Sequence, residues 1–299
     1  MNSFWSVWVI VLSLFNIFGC AFLLWWTRKM PLSHVDADNT TGHDYDGIKE
    51  FNNPLPRWWM WMFVGTILFA LAYLVLFPGL GNIPGILGWS SAKEHDAGVA
   101  EMRAKYGPMY TAFYKTAIPD LIKDPQAMRI GQRLFLNNCA ACHGSDARGA
   151  RGFPNLTDND WLYGGTPERI EQTILYGRQA AMPTWGPILG DEKIRQVANY
   201  VLSLSGRNVD NDLAAQGKQV FMTNCIACHG PDGKGNTMIG APNLTDTIWL
   251  YGGSLSTVIH SITAGRQGKM PAWKDRLGAE KVHLLAAYVY SLSHGNSPE

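Results

Sequence analysis

Two short segments of the chain carry cysteine and histidine at a spacing suited to chemistry. They read Cys139-Ala-Ala-Cys142-His143 and Cys225-Ile-Ala-Cys228-His229. In a C-x-x-C-H motif, two thiols on one helical turn reach the vinyl groups of a haem, and the adjacent imidazole reaches its iron. A zinc site would bring its second cysteine pair about 15 to 20 residues later, but 82 residues separate these pairs. The spacing therefore predicts two covalently bound haem c groups.

A methionine in a repeated Arg-Gln-x-x-Met-Pro frame follows each motif. Met182 lies 39 residues after His143, and Met270 lies 41 residues after His229. Most methionines fill cores, and Met238, which has no counterpart, is predicted to be a surface or gap-filling residue. Ligation by histidine and methionine occupies both axial positions of the iron, so these frames predict haems that carry electrons rather than activate a ligand.

Further residues are predicted to surround the haems. Pro154 and Pro242, each in Pro-Asn-Leu, resemble the class I cytochrome c proline whose carbonyl accepts a hydrogen bond from the ring N–H of the axial histidine. The alternative is that both prolines are turn residues of a loop. Arg178 and Arg266, four residues before each methionine, suit pairing with haem propionates, with a solvated surface position as the alternative. Four tryptophans are predicted to pack on the porphyrins: Trp161, Trp185, Trp249 and Trp273. Four histidines have no counterpart in matched frames and are interpreted as ordinary ones: His95, His260, His283 and His294.

The motifs belong to an internal repeat, which predicts two domains at 126–206 and 207–299. The offset between copies is 86 residues at the cysteines and 88 at the prolines, which indicates a two-residue insertion near 236–240. Apolar residues recur at helical spacing in four segments: 127–136, 191–205, 214–221 and 279–293. No strand pattern of useful length interrupts them, so the predicted fold class is all-α, with two tandem class I cytochrome c domains after the N-terminal region.

Residues 1–90 are predicted to be a membrane anchor, followed by a linker at 91–125. Segments 4–26 and 58–80 are apolar and long enough to cross a hydrocarbon layer of about 30 Å as helices. A cleavable signal peptide, the alternative for the first segment, needs a basic residue before it, and none is present. The intervening loop carries four basic residues: Arg28, Lys29, Lys49 and Arg57. The positive-inside rule therefore predicts a cytoplasmic loop and an external C-terminal region.

The composition argues for a part of the chain that avoids water and against two other kinds of protein. Of 299 residues, 16% are charged, against about 25% in an average soluble protein. A formal net charge of +1 offers no field that would attract nucleic acid. Five cysteines are too few for a scaffold held together by disulfides.

One further motif carries a resemblance to a known family. Residues 45–59 read Tyr-Asp-Gly-Ile-Lys-Glu-Phe-Asn-Asn-Pro-Leu-Pro-Arg-Trp-Trp and lead into a tryptophan-rich span. With the tandem C-x-x-C-H motifs, essentially the whole chain resembles the membrane-anchored dihaem subunit, subunit III or CcoP/FixP, of cbb3-type cytochrome c oxidases. Many members of that family have one span, so the segment at 4–26 is a departure.

The resemblance implies a subunit of the bacterial inner membrane with its haem domains in the periplasm. Electrons would pass from a donor cytochrome c through this chain to a monohaem cytochrome c subunit, and then to the haem-copper subunit that reduces oxygen and pumps protons. The chain itself would be non-catalytic. The resemblance also favours crossed ligation, His143 with Met270 and His229 with Met182, whereas the spacing is equally consistent with ligation inside each repeat.

Two other kinds of function are alternatives on the sequence alone. A dihaem relay subunit of another membrane dehydrogenase or reductase would share every haem motif. A haem peroxidase or an oxygen sensor would need an iron that lacks a sixth ligand, and the paired methionines argue against both.

Overall fold

A computed structural model describes residues 1–28, 39–51 and 55–294 of the chain. Lys29 of the predicted cytoplasmic loop lies outside the described residues, as do residues 295–299 of the second repeat. The described chain is mostly helical and divides into two compact units after Lys105.

The first unit contains two long apolar helices, a β-hairpin and the start of a third helix. These elements are α1 (Ser3–Thr27), β1 (Thr40–Tyr45), β2 (Ile48–Phe51), α2 (Arg57–Leu76) and α3 (Ser91–Lys115). With 25 and 20 residues, α1 and α2 are about 38 and 30 Å long, so each can cross a hydrocarbon layer. Helix α2 ends before the predicted boundary because Phe77 precedes a proline and adopts the extended conformation that this position favours.

The start of α1 contacts the segment that follows α2. The backbone N–H of Asn82 donates to Ser6 Oγ at 2.9 Å, and its side-chain amide donates to the Met1 carbonyl at 3.0 Å. Gly81 has a φ of +60°, and a Cβ there would collide with Ser6. The two helices therefore run in opposite directions, with the N-terminus of α1 and the C-terminus of α2 at the same end.

The second unit contains both repeats. The first repeat and its preceding turn form α4 (Ile118–Leu121), α5 (Pro125–Asn138), α6 (Ala140–His143), α7 (Pro167–Tyr176), β3 (Arg178–Met182) and α8 (Gly186–Leu204). The second repeat forms α9 (Asn211–Asn224), α10 (Ile226–His229), α11 (Leu255–Ala264), β4 (Arg266–Met270), α12 (Lys274–Leu277) and α13 (Ala279–His294). The same local signals start the first helix of each repeat: the Asp124 and Asp210 carboxylates each accept two backbone N–H groups of the first turn.

The helices pack across the boundary between the repeats. One core joins α5 and α7 of the first repeat to α13 of the second, and its fully buried members include Phe135, Leu284 and Leu285. The other core joins α8 of the first repeat to α9 and α11 of the second, around Ile194, Val197 and Phe221. The last helix of each repeat therefore completes the core of the other repeat.

Glycines permit the closest of these crossings. A Cβ at Gly131 on α5 would lie 2.7 Å from Tyr288 Cβ on α13. At the matching position on α9, a Cβ at Gly217 would collide with the Gln196 carbonyl on α8. Each pair of helices can approach to backbone contact only because no side chain intervenes.

The two connections between the cores form a small sheet. Strands β3 and β4 pair antiparallel, with Arg178 opposite Met270 and Met182 opposite Arg266. These strands, and the hairpin of β1 and β2, are additions to the all-α prediction. Each strand has only four to six residues, too few for an alternating pattern to stand out in the sequence.

The exchange of helices predicts how fragments behave. Residues 126–206 expressed alone should lack a cooperative fold, because α5 and α7 lose α13 while α8 loses α9 and α11. Residues 106–294, which contain both cores, serve as the control and should unfold in one transition. Near-ultraviolet circular dichroism during thermal unfolding measures both, and a cooperative transition in the short fragment would contradict this packing.

Candidate haem c sites

Each C-x-x-C-H motif lies at the end of a core helix. Cys139 follows the last residue of α5, and its backbone N–H bonds to the Phe135 carbonyl at 2.7 Å. The short helix α6 then carries Cys142 and His143 around a single turn. Cys139 is half-buried and Cys142 is exposed, and both residues line one cavity.

The second motif repeats this geometry. Cys225 follows α9, and its backbone N–H bonds to the Phe221 carbonyl at 2.9 Å. Helix α10 carries Cys228 and His229, and again the first cysteine is half-buried and the second is exposed. Burial, helped by the neighbouring thiol, raises the pKa of Cys139 and of Cys225 to about 11.

Both histidines are oriented by a proline carbonyl, as the sequence predicts. His143 Nδ1 lies 3.0 Å from the Pro154 oxygen, and His229 Nδ1 lies 3.2 Å from the Pro242 oxygen. A carbonyl only accepts, so Nδ1 carries the proton and Nε2 keeps its lone pair for a metal. Burial lowers the pKa of both imidazoles, against the opposing effect of the carbonyl. Both rings are therefore neutral and suited to coordination at neutral pH.

The two methionines lie in the core of the opposite repeat. Met270 packs in the core that contains Cys139, Trp161 and Ile174. Met182 packs in the core that contains Cys225, Trp249 and Ile262. The strands β3 and β4 carry them there, because each strand leaves one core and ends in the other.

Backbone contacts hold both crossings in place. The N–H of Trp273 donates to the Ile174 carbonyl at 3.0 Å, and the N–H of Trp185 donates to the Ile262 carbonyl at 3.1 Å. Gly177, with φ +71°, lies so close to the Met270 carbonyl that a Cβ would collide with it.

The two arginines lie over tyrosine rings beside the pockets. The Arg178 guanidinium is 4.8 Å from the Tyr163 ring centre, and Arg178 Nε donates to Thr173 Oγ1 at 2.9 Å. The Arg266 guanidinium is 4.3 Å from the Tyr251 ring centre, and Arg266 Nε donates to Ser261 Oγ at 2.9 Å. Both arginines are half-buried rather than freely solvated. The tyrosines were missed by the sequence analysis, although the repeated Trp-Leu-Tyr-Gly-Gly segment could have indicated them.

A cavity of about 650 Å³ reaches both motifs. Its lining combines apolar side chains with the proposed ligands: Cys139, Cys142, His143, Met182, Cys225, His229 and Met270. Three buried polar atoms on this lining have no hydrogen-bond partner within the described chain: Trp161 Nε1, Tyr163 Oη and Trp249 Nε1. An apolar pocket with unpaired donors and an arginine at its edge fits a flat porphyrin that carries carboxylates. The residues present therefore fit haem c.

The structure also places the predicted tryptophans, Met238 and His283. Trp161, Trp249 and Trp273 line the cavity, whereas Trp185 packs in the second core beside it. Met238 is largely exposed, and its sulfur accepts from the Arg169 guanidinium at 3.3 Å. His283, interpreted from the sequence as an ordinary histidine, is buried against Glu171.

Comparisons with known proteins identify the family of the chain. Residues 37–84 match the family model "N-terminal domain of cytochrome oxidase-cbb3, FixP", and residues 126–201 and 212–289 match "Cytochrome C oxidase, cbb3-type, subunit III". A cbb3-type cytochrome c oxidase subunit CcoP of Rubrivivax gelatinosus is 48% identical over 98% of this chain and 96% of that relative. The FixP subunit of Bradyrhizobium sp. (strain ORS 278) is 44% identical over 87% of this chain and 97% of its own length.

The fold and the two C-x-x-C-H sites define a membrane-anchored c-type cytochrome. The chain belongs to the CcoP/FixP family of cbb3-type cytochrome c oxidase subunits. Its function is electron transfer within that oxidase, and haem c is its cofactor.

The crossing strands generate a prediction for Gly177. Gly177→Ala should destabilise the haem-loaded chain by about 1 to 3 kcal/mol for the backbone conformation, and by a further 1 to 3 kcal/mol or so for the collision with Met270. Gly190→Ala is the matched control, because Gly190 has the same φ of +71° but open space around it. Thermal unfolding followed by haem absorbance should show a lower midpoint for Gly177→Ala, and equal midpoints would contradict the proposed collision.

Proposed function

We propose that this chain binds two haem c groups, each held by ligands from both repeats, and relays electrons from a periplasmic donor to the oxygen-reducing part of the oxidase. One observation supports the crossed ligation above all others: each methionine packs in the core that contains the cysteine of the other repeat. Ligation inside a repeat would require each Met-Pro segment to leave the core in which it packs.

The first haem would be attached to Cys139 and Cys142, with His143 and Met270 as axial ligands. The second would be attached to Cys225 and Cys228, with His229 and Met182 as axial ligands. Bound haem c supplies reversible one-electron chemistry, and a thioether ligand raises its reduction potential. Because both axial positions would be filled from the protein, the arrangement supports a relay rather than a peroxidase or a sensor.

The unpaired donors around the cavity would bind the haem carboxylates. Trp161 Nε1 and Trp249 Nε1 occupy equivalent positions in the two repeats, and both are buried without a partner in the described chain. Arg178 and Arg266 lie at the edges of the same cavity. A buried indole N–H and an arginine beside each pocket would offset the cost of placing a carboxylate near an apolar core.

The partners follow from membership of the family. A donor cytochrome c would reduce the chain, which would pass electrons to a monohaem cytochrome c subunit and then to the haem-copper subunit. The basic residues between α1 and α2 support a cytoplasmic loop. The contact between Asn82 and Ser6 supports two spans that return the chain to its starting side, so the haem domains would lie in the periplasm of a bacterial inner membrane.

Ligand assignment can be tested in a chain that carries only the first haem. With Cys225→Ser and Cys228→Ser in the background, Met270→Ala should abolish the near-infrared band of methionine-ligated iron and lower the potential, while leaving the haem attached. Met182→Ala in the same background should leave that band intact, because its sulfur would serve the missing haem.

Met238→Ala is the matched control for replacement of a methionine, and we expect it to change neither the band nor the potential. Loss of the band in Met182→Ala, with retention in Met270→Ala, would establish ligation inside the repeat and contradict the crossed arrangement. A band unaffected by either variant would exclude both residues as ligands of the first haem.

Membrane orientation has its own test. A single cysteine introduced at Asp44 in the β-hairpin should resist an impermeant maleimide in intact cells and react after permeabilisation. A cysteine at Lys234, in the second repeat, should react in intact cells as the positive control, in a background with Cys20 replaced by alanine. Efficient labelling at Asp44 in intact cells would reverse the proposed topology.

A further inference from the structure

His283 is a buried histidine on α13 with a hydrogen-bond acceptor at each ring nitrogen. Its Nδ1 lies 2.9 Å from Glu171 Oε1 on α7, and its Nε2 lies 2.9 Å from the Thr116 carbonyl, just after α3. The side chain is about one tenth exposed. A neutral imidazole has only one N–H, so the doubly protonated ring alone can donate to both acceptors.

The surroundings of the ring contain one charged partner. The edge of the Tyr114 ring approaches the imidazole, with ring centres 5.3 Å apart. On α13 itself, Glu280 accepts from Thr111 Oγ1, and the Lys281 ammonium lies over the Tyr110 ring. The other charged side chains on helices packed against α13 make no described contact with the imidazole: Lys115, Asp120, Arg129, Arg133, Glu168, Arg169, Lys274, Asp275 and Arg276. Glu171 is thus the counter-ion of His283 among the described residues.

The other core has no equivalent of this interaction. The position of His283 corresponds to Arg195 on α8, which is exposed, and the position of Glu171 corresponds to Ile259 on α11, which packs in the second core. If α13 packed on its own repeat, the imidazole would face that isoleucine with no carboxylate in place. The ion pair is therefore available to α13 only in the exchanged arrangement.

We propose that protonated His283 is a pH-dependent clasp that fastens the exchanged helix α13 to α7 and to the chain segment after α3. Three parts of the second unit meet at this one side chain: the segment that enters the unit, the first repeat and the last helix of the second repeat. Helix α13 follows Met270 by only a short connection through α12, so the clasp also restrains the segment that carries this methionine.

The direction of the pH dependence follows from the partners. Burial lowers the pKa of His283, but the hydrogen bonds to Glu171 and Thr116, with the charge of Glu171, raise it above its usual value overall. Such a group contributes its full stabilisation below the unfolded pKa of about 6.5. That contribution is lost as pH rises through the higher folded pKa. The ion pair between His283 and Glu171 is therefore present in mildly acidic solution and lost in alkaline solution.

Hydrogen exchange of the haem-loaded full chain in detergent tests the clasp. After correction for the intrinsic pH dependence of exchange, protection of α13 in the wild type should be constant at low pH. It should then fall by up to about tenfold per pH unit between the unfolded pKa of about 6.5 and the higher folded pKa, and level off above the folded pKa. Glu171→Gln and His283→Gln should reduce protection of α13 about tenfold or more in mildly acidic solution, the cost of one hydrogen bond between charged groups, and remove its pH dependence. Arg195→Gln, at the matching position on α8, should behave as the wild type.

Two results would overturn the proposal. One is wild-type protection of α13 that does not change with pH, a measurement that needs no variant to fold. The other is a Glu171→Gln chain that retains the wild-type pH dependence, since the imidazole would then titrate without its counter-ion. Glu171→Gln keeps His283 itself in place, so it remains informative if His283→Gln fails to assemble.

Discussion

The antiparallel ladder between β3 and β4 is the constraint on which the rest of the second unit depends. Each strand leaves one core and enters the other, so the ladder forces the last helix of each repeat to pack on its counterpart's core. A repeat of about 80 residues is small for an independent hydrophobic core. The exchange of the last helices between the repeats joins two small cores into one larger unit. Neither core can unfold fully without also disturbing the other core.

The position of each methionine at the end of this ladder depends on a glycine of the facing strand connection. Gly177 and Gly265 adopt equivalent positive φ values and contact the carbonyls of Met270 and Met182 respectively. A side chain at either position would push a methionine away from its pocket. Residues far from the C-x-x-C-H motifs in sequence therefore determine which methionine packs in the core beside each motif.

The two C-x-x-C-H motifs are equivalent in sequence, but the residues around them differ. Arg207 lies over the Trp249 ring at 5.6 Å and donates to the Gly253 carbonyl. Near Trp161, the corresponding space is bordered by Tyr290 and His294. His283 and its partner Glu171 occur in one core only. The surroundings of the two motifs therefore differ in charge and hydrogen bonding, properties that tune the potential of a bound haem.

The sequence by itself predicted the haem-attachment motifs, the repeat and the membrane anchor. These depend on local information: a thiol spacing of one helical turn, matched sequence frames and uninterrupted apolar segments. The carbonyl partners of His143 and His229 were also predicted, because Pro154 and Pro242 resemble the class I cytochrome c proline that supplies this carbonyl.

Only the tertiary structure decided which repeat each methionine and each final helix packs against. Duplication makes the matched positions nearly identical in sequence, so periodicity and spacing are equally consistent with both arrangements. The choice depends on contacts between distant segments, such as Gly177 with Met270 and His283 with Glu171. Those contacts form only when the chain has crossed between its two cores, and for that reason no local pattern could reveal them.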